Sequence, residues 1–323
     1  MRLCRFRREG VVQIGFYDEQ QIVPLNAALR AYAAATHETL KLPARESLLD
    51  LLPPDGEAFA GAKKLAHWIA QPGKGLPADA AVPTKDVELL LPIPRPNKLF
   101  LLAGNYADHV IEGGGTASER NETFPYVFMK PPSTTLTDPG KPVRVPSVSP
   151  KTVDWELELA VVIGRRAKGV READALGVVA GYTVVNDISD RKFRPNPGRT
   201  KREKDTFFDW MHGKWHDSFC PCGPCIASAD AIADPQKLEM TLKLNGEVRQ
   251  HGSTGQQIFP VAAVIEFISS FVTLEPGDII STGTLAGVGN STGTYLKPGD
   301  KLEASIASIG TLVSPVEDDN LSR

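Results

Sequence analysis

From Leu99 onward the apolar residues fall in short runs separated by glycine and proline: "LFLLAG", "YVFMKP", "WELELAVVIG", "VVAGYTVVND", "LEMTLKLNGEVRQ", "DIISTGT" and "KLEASIASIG". Runs of this length, bounded by turn residues, predict β-strands. Up to about residue 85 the pattern is mixed, with strand-like pieces at Val11 to Tyr17 and "QIVPL" and helix-like alanine and leucine stretches such as "LNAALRAYAAA". Between the two regions "LPIPRPNKLF" brings three prolines close together, the signature of an extended linker. We therefore divide the chain into a small α/β N-terminal domain, 1–90, and a larger domain, 91–323. Few helices are predicted in the larger part: one at about 260–272, where "PVAAVIEFISSFV" opens on proline and repeats apolar residues at helical spacing, and one over "READALG". The fold class is α+β, predominantly β, with helices outside a β-rich core. The stretch 192–213, polar and then aromatic without a clean period, reads as a long excursion of the kind that covers sites.

Composition narrows the partners. Lysine and arginine total 36 against 39 acidic residues, a net charge of -3 that gives no electrostatic reason for nucleic acid or an anionic membrane as partner. The opening "MRLCRFRREGVVQIG" has no apolar segment or cleavage site after its basic residues, and no stretch reaches membrane-spanning length, so a soluble cytoplasmic protein is expected. Four cysteines are too few for a disulfide framework.

Within the apolar run "VDWELELAVVIG", Glu156 and Glu158 stand two positions apart and so share one face of a strand, with Cα atoms roughly 6–7 Å apart. Two buried like charges repel unless one is protonated or a cation lies between them. Asp187 ends the strand-like "GYTVVNDIS" and offers a third carboxylate. An all-oxygen donor set suits Mg²⁺, Mn²⁺ or Ca²⁺ better than Zn²⁺. The alternative is a half-exposed strand whose glutamates face solvent.

"DWELELAVVIG", "GYTVVNDIS", "GKWHDSFCPCGP" and "LEPGDIISTGTLAGVG" together resemble the fumarylacetoacetate hydrolase family in order and spacing, from about Leu101 to Ser314, two thirds of the chain. The resemblance implies a catalytic domain of rolled mixed sheets, a homodimer, and Mg²⁺ or Mn²⁺ held by Glu156, Glu158 and Asp187.

Other positions gain meaning beside it. "NYADHVIEGGG" places His109 and Glu112 three apart, adjacent on a helical turn, where the carboxylate would fix the imidazole tautomer and raise its basicity. By pattern alone this is more often a surface pair; the resemblance implies a lid dyad that activates water, hinged by Gly113 to Gly115, with Tyr106 nearby as a substrate contact. Lys214 matches a family lysine that contacts substrate oxygen and would stabilise developing negative charge, although Trp215 and His216 stand where serine and phenylalanine are usual. Lys130 matches another lysine near the site. Arg191 and Arg194 lie where family members present polar groups to substrate, and a guanidinium can grip a carboxylate. Gly283 and Thr284 belong to a glycine-rich loop that lines the pocket and lacks the spacing of a phosphate-binding loop. The "CPCGPC" cysteines with His216 make a poor zinc site, because the prolines stiffen the chain and neighbouring strand side chains diverge.

The implied activity is Mg²⁺- or Mn²⁺-dependent hydrolysis of a carbon–carbon bond in a 1,3-diketo acid of the acylpyruvate type. A decarboxylase or isomerase of a β-keto acid such as oxaloacetate is the alternative, and a metal-stabilised binding protein without catalysis is the reading from a different class.

Overall fold

The computed structural model describes residues 1–43, 47–52, 54–71, 76–77 and 80–319. A twelve-stranded sheet runs through the molecule, and its middle is the antiparallel set Cys220–Ser228, Val179–Asn186, Leu157–Ile163 and Ile279–Thr284. Leu99–Ala103 continues it in parallel to Ile279–Thr284, and Tyr126–Met129 forms one end. On the other side Arg2–Arg8 pairs with Cys220–Ser228 through Arg2↔Ala227 and Leu3↔Ile226, and Val11–Tyr17 and Gln21–Pro24 extend the sheet outward. The division placed at residue 90 thus falls between strands of one sheet. A second sheet of five strands contains Glu239–Leu244, Glu247–Ser253, Lys301–Ile306, Gly310–Asp318 and Val143–Val145.

The carboxylate-bearing strand Leu157–Ile163 is buried along its whole length. Leu157, Leu159, Val161 and Ile163 pack with Met240, Leu242 and Leu302 of the second sheet. Ala160 and Val162 pack on the opposite face with Leu25, Leu48 and Trp68 of the N-terminal region. Covering both faces explains why the strand reads as a near-continuous apolar run, and it overturns the half-exposed alternative.

Leu25–Thr36 buries Leu25, Ala28, Ala31 and Tyr32, a stripe at helical spacing, and the Tyr32 ring meets Trp68 of Glu57–Ile69 edge-on at 5.4 Å. The helix predicted at 260–272 spans Val261–Phe271; "READALG" forms the α-helical turn Glu172–Ala175, continued by the 3-10 turn Leu176–Val178. The excursion contains a helix not legible in its pattern, Asp205–His212. Among the described residues no helix is long and apolar enough to cross a membrane. Cys4, Cys220, Cys222 and Cys225 are free and buried, and burial pushes their thiols upward, that of Cys222 to about 12.

Candidate metal and acid–base site

The run predicted as one strand over 153–164 is broken at Trp155 and Glu156. Val153–Asp154 pairs with Ser189–Asp190, whereas Leu157–Ile163 pairs with Val179–Asn186. At the junction the Asp187 amide donates to the Glu156 carbonyl (2.8 Å) and the Glu156 amide to Asn186 Oδ1 (2.9 Å). This crossover brings Glu156 and Asp187 together. Glu158 lies beside a register irregularity with Ile279–Thr284, where Gly283 takes φ +88° and turns its N–H onto Glu158 Oε2 at 2.8 Å. A Cβ on Gly283 would meet Asn105 Cβ at 2.8 Å, so the turn is built for glycine.

Glu156, Glu158 and Asp187 are all buried, and one oxygen of each lies within 4.8 Å of the others. Three cations answer them. Lys214 Nζ reaches Asp187 Oδ2 (2.5 Å), Ser189 Oγ (2.8 Å) and Glu156 Oε2 (3.0 Å). Lys130 Nζ donates to the carbonyls of Phe219 (2.5 Å) and Ile188 (2.9 Å) and pairs with Asp187 Oδ1. Arg191 joins Glu156 Oε1 (2.6 Å) to Asp154 Oδ2 (2.8 Å).

Burial works against the Glu156 carboxylate, but Lys214 and Arg191 outweigh it and hold the group well below its ordinary range. Glu158 is the opposite case: burial, Asp187 and Glu156 all push its carboxyl well above the ordinary value. Burial also lifts Asp154 against the pull of Arg191, yet its partners Trp155 N, Gly289 N, Asn290 N and Arg191 Nε are all donors, so it is held as carboxylate.

The donor set fits a hard divalent cation. All three ligands are oxygens, they converge, and Glu158 Oε1 lies beside the Ser281 hydroxyl without a well-formed hydrogen bond to any group.

His109 and Glu112 occupy the short helix Ala107–Glu112. His109 Nδ1 meets Glu112 Oε1 at 2.8 Å, and Glu112 Oε2 accepts from the Gly287 amide at 2.9 Å. Although burial raises the Glu112 carboxyl, these two hydrogen bonds bring it below its ordinary value. His109, Glu112 and Arg191 line one cavity of about 250 Å³ with Val288, Asn290 and Ser291. Through Arg191 the cavity adjoins the carboxylate cluster.

Several sequence-derived roles need correction. Tyr106 is buried in the main core, its hydroxyl accepting from Gln257 Nε2 (3.2 Å) and lying beside Met240 Sδ, so it does not face the cavity. The Thr284 hydroxyl donates to the Leu157 carbonyl (2.8 Å) and accepts from Gln250 Nε2 (2.9 Å), while Gly283 serves Glu158; neither group is left for substrate. Lys130 and Lys214 each spend three donors on the protein, so the oxyanion role expected of Lys214 requires it to leave a carboxylate. Arg194 is exposed in a surface recess with Asn196, Arg199 and Asp205. The excursion does sit against the cluster, with Trp210 and Phe128 placing their ring centroids 5.5 and 5.1 Å from Lys214 Nζ. Sequence reasoning missed Asp154, Ser189 and Gln250, whose partners are fixed only by the fold.

A family model described as the C-terminal part of fumarylacetoacetate (FAA) hydrolase matches residues 98–317. Oxaloacetate tautomerase YisK of Bacillus subtilis is 37% identical over 273 residues, covering 84% of this chain and 86% of that protein. The mitochondrial oxaloacetate tautomerase Fahd2a of Rattus norvegicus is 37% identical over 237 residues, 73% of this chain and 71% of that protein. Among solved structures, maleylpyruvate hydrolase from Sphingobium sp. SYK-6 in complex with manganese(II) and pyruvate superimposes with a TM-score of 0.71 at 30% identity, covering 98% of this chain and 99% of that one.

Proposed function

This chain belongs to the fumarylacetoacetate hydrolase family, and from that premise we propose that it is a divalent-metal-dependent enzyme that moves a proton on a short dicarboxylic 2-oxo acid, interconverting the keto and enol forms of an oxaloacetate-like substrate. One observation carries the reading: the His109–Glu112 dyad lines the same small cavity as Arg191, the residue that grips Glu156.

Glu156, Glu158 and Asp187 would hold Mg²⁺ or Mn²⁺, whose positive charge favours the enolate over the ketone. With Nδ1 donating to Glu112, His109 keeps its Nε2 lone pair as the base that takes a proton from the carbon next to the carbonyl and returns it to oxygen. Glu112, itself fixed by the Gly287 amide, steadies the imidazolium formed in between. Arg191 Nη2 is buried without a hydrogen-bond partner and suits the distal carboxylate of the substrate. Lys214 would turn from Glu156 and Asp187 toward substrate oxygen once those carboxylates are engaged by the ion. The small cavity and the tautomerase relatives support this outcome.

Hydrolysis of an acylpyruvate is the second reading, favoured by the likeness to the maleylpyruvate hydrolase structure. There His109 would take its proton from water instead of carbon. The test follows the enol absorbance of oxaloacetate and of acylpyruvates with Mg²⁺ or Mn²⁺, with and without EDTA. Metal-dependent loss of oxaloacetate enol without product acids is expected; stoichiometric pyruvate from an acylpyruvate would select the hydrolase. No metal-dependent change with either substrate overturns both. The expected homodimer belongs to the same reading; it is supported by the exposed rings of Phe207, Phe208 and Trp215 and is tested by sedimentation equilibrium.

A further inference from the structure

Asp154 is fully buried, is not among the three converging carboxylates, and spends both oxygens on four donors from three parts of the chain. Oδ1 accepts from the amides of Trp155 (2.8 Å) and Gly289 (2.6 Å); Oδ2 accepts from the Asn290 amide (2.9 Å) and Arg191 Nε (2.8 Å). One branch therefore leads to the metal side, because Arg191 Nη1 holds Glu156 Oε1 at 2.6 Å. The other leads to the base side. Gly289 and Asn290 open the helical turn Gly289–Thr292, directly after the loop whose Gly287 amide holds Glu112 Oε2, and the Trp155 indole fastens that loop by donating to the Gly287 carbonyl at 3.1 Å. The loop cannot easily move inward, since a Cβ on Gly289 would already meet Thr294 O at 2.0 Å and Asp154 Oδ1 at 2.7 Å. Every path between Asp154 and the two halves of the site is one or two hydrogen bonds long.

We propose that Asp154 is a positioning residue that fixes the base dyad, through the 287–290 loop, relative to the carboxylate triad, through Arg191. It touches neither substrate nor ion. It acts as a single anchor for both walls of the cavity. For catalysis this rests on the function proposed above; as a statement about the loop it stands independently.

Asp154→Asn tests it, because the change keeps the shape but aims an amide NH₂ at a group that is already a donor. In the isotopically labelled full chain, free of substrate, the Trp155 indole N–H resonance should move and exchange of the Gly287 amide should accelerate by about tenfold or more. Mn²⁺ affinity should change by less than about threefold, while kcat falls about 10–100-fold, the usual cost of losing an outer partner. Asp154→Asn added to Glu112→Gln should cost little beyond Glu112→Gln alone, since both act through the same dyad. Should Asp154→Asn fail to fold, Gly289→Ala, whose Cβ presses on Thr294 O and Asp154 Oδ1, displaces the segment and should give the same indole and exchange signature. An unmoved Trp155 resonance with unchanged Gly287 exchange, or multiplicative effects of the two substitutions, overturns the proposal. Absence of wild-type activity on any 2-oxo acid would refute the function instead, and the resonance and exchange measurements would still decide the role of Asp154.

Discussion

Loading the site with metal should expel one proton, and the proton should come from Glu158. In the metal-free protein burial, Asp187 and Glu156 push this carboxyl well above its ordinary value, whereas Lys214 and Arg191 hold Glu156 well below it. A divalent ion needs Glu158 as a carboxylate, so binding below the metal-free value of Glu158 should release about one proton per ion. Over each pH unit below the metal-free value of Glu158, affinity should rise about tenfold, or about 1.4 kcal/mol, and then level off. The sign for stability is consistent with this. A carboxyl whose folded value is raised contributes stability that is complete below its unfolded value, about 4.3, and is lost as pH rises through the folded value. The thermal increment supplied by Mn²⁺ should therefore grow with pH over the same interval. Calorimetric titration of Mn²⁺ into apo protein in two buffers of different ionisation enthalpy gives the proton count directly. Glu158→Gln has no proton to lose, so its weaker binding should be nearly independent of pH. A wild type that releases no proton on binding Mn²⁺ as pH is lowered, or a Glu158→Gln variant that releases as many, would refute this assignment.

Other substitutions separate the parts of the site. His109→Gln and Glu112→Gln should each lower kcat by about 100-fold or more while leaving Mn²⁺ affinity nearly intact; steady-state kinetics and a metal titration check both halves. Gly283→Ala should cost about 1–3 kcal/mol in denaturant unfolding from backbone strain, and should weaken Mn²⁺ about tenfold by moving the N–H that orients Glu158. Gln250→Leu should destabilise by about 2–4 kcal/mol, because it strands the buried Leu157 amide and Leu285 carbonyl; chemical denaturation measures it.

The carboxylate triad was legible because a strand's period of two puts Glu156 and Glu158 on one face, and burial of two such charges demands an explanation. The break at Trp155 and Glu156 was not legible. Its cause is a change of partner strand, and nothing in "VDWELEL" signals that Asn186 and Gln250 will take over the Glu156 and Leu157 amides. Lys214 was legible as a residue of the site but not in its contacts: sequence cannot show that Asp187, Glu156 and Ser189 absorb all its donors. Gly283 read as pocket lining and proved to be a fixed donor to a residue 125 positions away. The helix Asp205–His212 was hidden because its aromatic residues divide, Trp210 lying over Lys214 while Phe207 and Phe208 are exposed, and so leave no clean apolar stripe.

The attachment of Arg2–Arg8 to Cys220–Ser228 bears on what would become of a shortened chain. All nine residues of Cys220–Ser228 are buried, and Arg2–Arg8 covers part of the edge facing away from Val179–Asn186. A shortened protein starting at the proline-rich stretch would keep every catalytic residue named above. It would also uncover an apolar strand edge in the middle of the sheet, an open template for pairing with other chains. We expect such a fragment to aggregate instead of giving a small active enzyme, which makes the N-terminal strands a built-in guard against self-association.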